Sequence, residues 1–216
     1  DGPGDLIING QGTVVLNGAN TYTGHTTLQS GVFSVTHSST SAVTVRSGAT
    51  FDLSGHLAVA GFTDPVVTVD TGGMFNLSGD VTGDVTNYGT TKLEAAGTIS
   101  GDVVTSGTFV HNGTVTGAVT STGLLSGTGS IGTLSVGDGG TLATGNSVGT
   151  MTVLGDFAFG PGATHAVEIG ADGATDLLSV GGVANLEGGT VVATGEDGFT
   201  PVLGAGYVFL HADGGI

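Results

Sequence analysis

Apolar residues in this chain fall in runs of two to four, mostly Val, Leu, Ile and Phe interleaved with Thr and bounded by glycine. Val66-Val67-Thr68-Val69, Met74-Phe75-Asn76-Leu77 and Met151-Thr152-Val153-Leu154 show the pattern. Short β-branched runs punctuated by glycine predict many short strands joined by tight turns. No window of a dozen residues keeps helical spacing without a glycine, and each interior glycine costs a helix roughly 1 kcal/mol relative to alanine. The chain is therefore read as all-β.

The turns recur. Glycines that precede an apolar run stand at 48, 72, 89, 107, 123 and 140, with successive spacings of 24, 17, 18, 16 and 17. Gly97-Thr98-Ile99-Ser100-Gly101-Asp102-Val103-Val104 is echoed one period later by Gly113-Thr114-Val115-Thr116-Gly117-Ala118-Val119-Thr120. Ser78-Gly79-Asp80-Val81 and Thr82-Gly83-Asp84-Val85 belong to the same pattern. A unit of this length, carrying two or three short strands, fits one coil of a right-handed, single-stranded parallel β-helix. The Leu-x-x-Leu-x-Leu frame of leucine-rich repeats is missing. About ten coils are expected, making a rod on the order of 50 Å long.

Texture separates residues 1–37, a glycine-threonine motif, from the more regular coils of 38–122. Strands lengthen in 123–216, as in His165-Ala166-Val167-Glu168-Ile169 and Tyr207-Val208-Phe209-Leu210. The expected organisation is a coil region over 1–122 and a C-terminal capping β-segment over 123–216 that shields the open end of the column.

Composition removes several function classes. Glycine supplies 44 of 216 residues, yet with 4 prolines and no strict triplet repeat the chain is not collagen, and 38% hydrophobic content argues against disorder. Two basic residues (Arg46 and Lys92) against 18 acidic ones leave a net charge of −16, which excludes phosphate-backbone binding and attraction to anionic membranes. Without cysteine there are no disulfides and no thiolate chemistry. No apolar run reaches the roughly 18 residues needed to span a bilayer, and the first residues lack a signal-peptide pattern. The chain reads as an internal segment of a longer exported protein.

Three stretches resemble a known family. Gly12-Thr13-Val14-Val15-Leu16-Asn17-Gly18-Ala19-Asn20-Thr21-Tyr22-Thr23-Gly24-His25-Thr26-Thr27-Leu28, continuing to Gly31-Val32-Phe33, resembles the passenger-associated transport repeat of autotransporters over about 12–35. His25 replaces the family's second glycine, and Val32-Phe33 replaces Thr-Leu. Gly140-Thr141-Leu142-Ala143-Thr144-Gly145-Asn146-Ser147-Val148-Gly149-Thr150 resembles the C-terminal part of pertactin-like passengers, with Thr144 where the family usually has proline. Tyr207 to Ile216 is similar to the last passenger residues before the barrel linker. The resemblance implies a passenger exported to the bacterial surface through its own C-terminal outer-membrane β-barrel, with residues of about 123–216 as an autochaperone. Possible further partners are a host surface or like passengers on neighbouring cells.

The candidate chemistry is thin. A lyase on this fold needs a basic proton abstractor, and only Arg46 and Lys92 could serve; both read as solvated surface residues, Lys92 beside Glu94. Paired carboxylates for glycoside hydrolysis are best sought at Asp80, Asp84 and Asp102, but each follows a glycine and reads as a turn residue. Asp84 and Asp102, one coil apart, would stack at a corner and could share a weakly held calcium ion. Gly145-Asn146-Ser147-Val148-Gly149 matches the hydrolase elbow in letters only, since no helix follows. His25, His37, His56, His111, His165 and His211 show no ligand spacing and read as surface or corner residues. Gly137-Asp138-Gly139-Gly140 is too short and unrepeated for the calcium nonapeptide repeat. Carbohydrate platforms are scarce, with no tryptophan and only Tyr22, Tyr88 and Tyr207.

No catalytic, metal or cofactor residue is assigned. The leading expectation is a non-enzymatic structural stalk and folding template, contributing to adhesion or self-association. The alternatives are a carbohydrate-active β-helix enzyme or a host-contacting toxin passenger.

Overall fold

Each short apolar run forms a strand whose alternate residues point inward, as in Ala49–Leu53 and Thr164–Ile169. The computed structural model describes residues 2–61, 65–202 and 204–216, the side chain of Asp197 excepted. Every pairing between its strands is parallel, and each strand pairs with its equivalent one coil away. The first coil runs through Leu6–Ile8, Thr13–Leu16 and Ala19–Asn20; the second repeats it in Thr26–Leu28, Gly31–Val35 and Ser38–Ser39. Ten such three-sided coils stack, ending in Ala184–Leu186, Thr190–Gly195 and Leu210–Ala212. At the usual strand spacing the stack is roughly 45 Å long. This is the expected parallel β-helix, and its three-sided coils continue through residues 123–212.

The middle strands of the coils form a ten-stranded sheet by themselves. The first and third faces are joined into one 18-stranded sheet, because Thr114–Ser121 and Ser130–Val136 run through the corner between them without a break. The register slips by one residue between Val115 and Ala118, where Thr116 and Gly117 pass the corner that Gly132 passes alone in the next coil. Coil length varies because corners differ. A short coil carries the register from Thr108 to Leu124, and a much longer one carries it from Thr164 to Thr190. The long corners of the last three coils, at 145–149, 170–176 and 196–209, lie between the second and third faces.

Glycine makes this stacking possible. At the corner before the middle face, Gly89 lies over Gly73, Gly107 over Gly89 and Gly123 over Gly107, each so close that a Cβ would enter the carbonyl oxygen of the glycine beneath. The other two corners repeat the arrangement, with Gly113 over Gly97 and Gly117 over Gly101. From Gly89 to Gly123 the recurring glycine spacing is thus the period of a steric requirement.

Inside, the side chains form columns. Along the middle face one column reads Phe33, Phe51, Phe75, Thr91, Phe109, Leu125, Leu142, His165. Phe33 and Phe51 stack with ring centroids 5.4 Å apart, and Phe51 and Phe75 with 5.0 Å. Each such contact adds about 0.5–1.5 kcal/mol to the burial of the rings. Thr91 then breaks the stack. It belongs to a buried polar seam in coils five to seven that includes Asn87, Thr105, His111 and Ser121. The Asn87 amide donates to Thr105 Oγ1 and to the Thr108 carbonyl, both at 2.9 Å. Asn87 Oδ1, Thr91 Oγ1 and His111 Nδ1 have no hydrogen-bond partner among the described residues.

Two of the histidines correct the sequence reading. His111 and His165 are buried, not at the surface, because both fall on inward positions of middle-face strands, in register with Leu93 and Leu142.

Two substitutions test the packing. Gly107→Ala should destabilise the protein by about 3 kcal/mol, because the new methyl forces two coils apart. Gly48→Ala, at φ +78° with nothing within 4 Å of the added carbon, should cost only about 1 kcal/mol. Equal losses in denaturant unfolding would contradict the steric account of the corners. Separately, Thr91→Val keeps the shape and removes a buried, unpaired hydroxyl, so it should raise stability by about 1 kcal/mol; a lower melting temperature would show that the hydroxyl is satisfied.

Candidate functional site

Of the polar residues singled out in the sequence, Asp84 and Asp102 are placed at corners, where each ties one coil to the next. Where the third face turns into the first, Asp84 Oδ1 accepts the Asp102 N–H at 2.8 Å, and Asp102 Oδ1 accepts the Ala118 N–H at 2.8 Å. Asp5 does the same for His25, and Asp156 for Val183. Asp84 and Asp102 are one coil apart, as expected, but each has an oxygen engaged with a main-chain amide. Among the described residues no group of three His, Asp or Glu side chains is placed to hold a metal ion. The Gly-Asp-Val pieces at 83–85 and 101–103 are therefore fasteners, with aspartate pairing an amide that the corner would otherwise leave open.

The Asn-Thr-Tyr-Thr-Gly stretch works in the same way. The Asn20 side-chain amide donates to the Gly18 carbonyl at 2.7 Å and to the Ser38 carbonyl of the next coil at 3.1 Å. Tyr22 Oη bonds Thr26 Oγ1 at 2.8 Å, Thr26 bonds Ser41 Oγ at 2.7 Å, and Ser41 donates to the Gly24 carbonyl at 2.6 Å. Thr40 Oγ1 donates to the Tyr22 carbonyl at 3.1 Å. His25 is accommodated because Gly24, not residue 25, lies against the preceding coil. Its Nε2 reaches Thr44 Oγ1 at 2.7 Å.

The remaining candidates are dispersed. Arg46 pairs with Asp70 at 2.6 Å, on an exposed surface where such a pair contributes little. Lys92 is exposed between Asn76 and Val110, and among the described residues it forms no ion pair with Glu94. Asp80 stands exposed in a strand paired to His56 and Thr98. His37 is exposed, and the His211 Nε2–Asp213 contact of 3.0 Å joins neighbouring surface residues.

Ser147 lies in an open cleft of about 310 Å³ with Thr144, Asn146, Glu168, Asp176 and Thr194. Its hydroxyl donates to the Glu196 carboxylate, and among the described residues no histidine lines the cleft to activate it. Asp176 was not singled out in the sequence. It is buried and accepts the Gly149 and Glu168 N–H groups at 2.9 and 2.8 Å, clipping two long corners together. Burial pushes its carboxyl above the usual carboxylate range, against the two amides and together with the charges of Glu168 and Glu196. No feature of the sequence marks it, because its partners are main-chain amides distant along the chain.

Burial holds both interior imidazoles down at about 4, from an ordinary 6.5; in His111 a contact with the Ser130 carbonyl pulls weakly the other way. Both are therefore neutral in the folded protein at pH 5, where the unfolded chain carries them charged. Their stabilising contribution is full above about pH 6.5 and is lost as the pH falls through about 4, roughly 3 kcal/mol for each. Asp176 acts with the opposite sign, since its raised value favours the fold on the acid side. The expected net result is a melting temperature that falls between neutral pH and about pH 5. The fall should be much smaller in a His111→Leu, His165→Leu double variant. Parallel pH profiles for the two proteins would rule the buried histidines out as the cause.

Residues 6–35 match the family model of the passenger-associated-transport-repeat. The match spans the first coil and the first two strands of the second, which are the strands fastened by the Asn20, Tyr22 and Thr26 bonds. No curated protein and no solved structure matches the chain. The repeat sets these coils in an autotransporter context, with a translocator domain and secretion to the bacterial cell surface. The chain is a β-helix segment of the autotransporter passenger type that carries one such repeat.

Proposed function

We propose that this segment is a non-catalytic stalk at the bacterial surface that contributes to adhesion or self-association, and that residues 123–216 serve as its folding template. The observation that carries the stalk reading is how the polar side chains are used. The corner aspartates, the Asn20–Tyr22–Thr26 group and Asp176 all bond to a neighbouring coil or corner. The corner aspartates and the Asn20–Tyr22–Thr26 group share no substrate position with a base, and Asp176, which lines a cleft with Glu168, is bonded to two main-chain amides.

The template reading is supported by the later coils. Thr164–Ile169 and Thr190–Gly195 are paired along their whole length, and Phe157, Phe159, Leu178 and Val180 fill the core beneath them. A solenoid's stability is a sum of coil and interface terms, so a firm end holds weaker neighbours in register. The polar seam at Asn87, Thr91 and His111 marks where those neighbours are weakest.

Cells displaying the segment from their outer membrane should settle or attach faster than cells displaying the translocator alone; no difference would sink the stalk's proposed role. Refolded separately, residues 123–216 should regain β-structure and protease resistance, while 1–122 does so slowly or not at all. The reverse order would overturn the template assignment.

A further inference from the structure

The sequence holds three Asn-Gly pairs: Asn9-Gly10, Asn17-Gly18 and Asn112-Gly113. Asn-Gly is the dipeptide in which a main-chain nitrogen most readily attacks the preceding side-chain amide, since glycine puts no side chain in the path. In a folded protein, the outcome depends on whether the two groups are free to meet. Here the three pairs have different surroundings.

At Asn9-Gly10 both partners are held by one hydroxyl. Gly10 N–H donates to Ser30 Oγ at 2.8 Å, and Ser30 donates to Asn9 Oδ1 at 3.2 Å. At Asn112-Gly113 the side-chain carbonyl accepts from the Thr128 N–H at 3.3 Å and the Asn146 amide at 2.9 Å. Gly113 is buried there against the Gly97 carbonyl, one coil below. Asn17-Gly18 has neither restraint. Both residues are exposed in the corner between Thr13–Leu16 and Ala19–Asn20, and nothing lies within 4 Å of the Gly18 Cβ position. The Asn17 side chain has no hydrogen bond among the described residues.

We infer that Asn17 is a site of spontaneous deamidation, set apart from two chemically identical pairs by its open corner in the first coil. The Gly18 nitrogen gives its proton to solvent base and bonds to Asn17 Cγ. The C–N bond of the side-chain amide breaks, and ammonia leaves with a proton taken from solvent. Water then opens the resulting five-membered imide at either carbonyl, leaving aspartate or isoaspartate at position 17. Either product adds one negative charge to an acidic chain, and isoaspartate also lengthens the main chain by one carbon inside the residues that match the transport repeat.

The test is to incubate the intact protein at mildly alkaline pH in heavy-oxygen water, then cut it and locate isotope uptake by tandem mass spectrometry with electron-transfer fragmentation. Position 17 should convert severalfold faster than positions 9 and 112. In the urea-unfolded chain the three rates should converge, and Ser30→Ala should speed conversion at position 9 in the folded protein. Folded-state rates at position 9 or 112 equal to that at 17, or no uptake at 17, would overturn the assignment. A rate difference that persists in urea would do the same, since it would then owe nothing to the fold.

Discussion

The distance between one coil and the next governs everything else in this molecule. Parallel strands are hydrogen-bonded about 4.8 Å apart, and that spacing has to be kept at the corners as well as along the flat faces. A corner carbonyl therefore sits where the next residue's Cβ would be, as Gly89 does beneath Gly107 and Gly101 beneath Gly117. Glycine costs conformational entropy in every such place. The return is a core built by repetition, in which Phe33, Phe51 and Phe75 meet face to face because their main chains are in register.

The same constraint decides what polar side chains can do. Corners leave amides that a neighbouring strand does not pair, and a short acidic side chain one coil back is the nearest acceptor. Asp5, Asp84, Asp102 and Asp156 fill that role in succession along the rod. An acidic chain with scarcely any cations is thus compatible with a tightly stacked fold, since the carboxylates at these corners are matched to N–H groups and not to basic residues. Asp176 extends the principle to the longer corners of the last coils, where one carboxylate serves two amides.

The architecture was legible in the sequence because its cause is local and recurrent. The glycines at 48, 72, 89, 107, 123 and 140 mark the start of the middle-face strand in successive coils, so the period could be read without any structure. The stacking of Asp84 on Asp102 followed from the same arithmetic; what their carboxylates bind did not, because an amide donor leaves no trace in side-chain identity. His111 and His165 were misplaced although a signal existed. His111 lies two positions after Phe109, and His165 two before Val167, which is inward phase in a strand. Asp176 had no such signal, since its acceptor role depends on loops whose paths the sequence period does not fix.

The interior seam of Asn87, Thr91 and His111 gives the rod a mechanical property. Tension along the axis passes through each interface in series, so the load is the same everywhere and rupture starts where cohesion is least. Above the seam lies a stack of three aromatic rings, and below it the leucine-rich column of Leu125 and Leu142. Between them buried apolar residues such as Leu93, Ile99 and Phe109 are interrupted by polar groups, some without partners among the described residues. Under flow or traction the coils near residues 85–115, where these groups interrupt the apolar core, are the expected place of first parting.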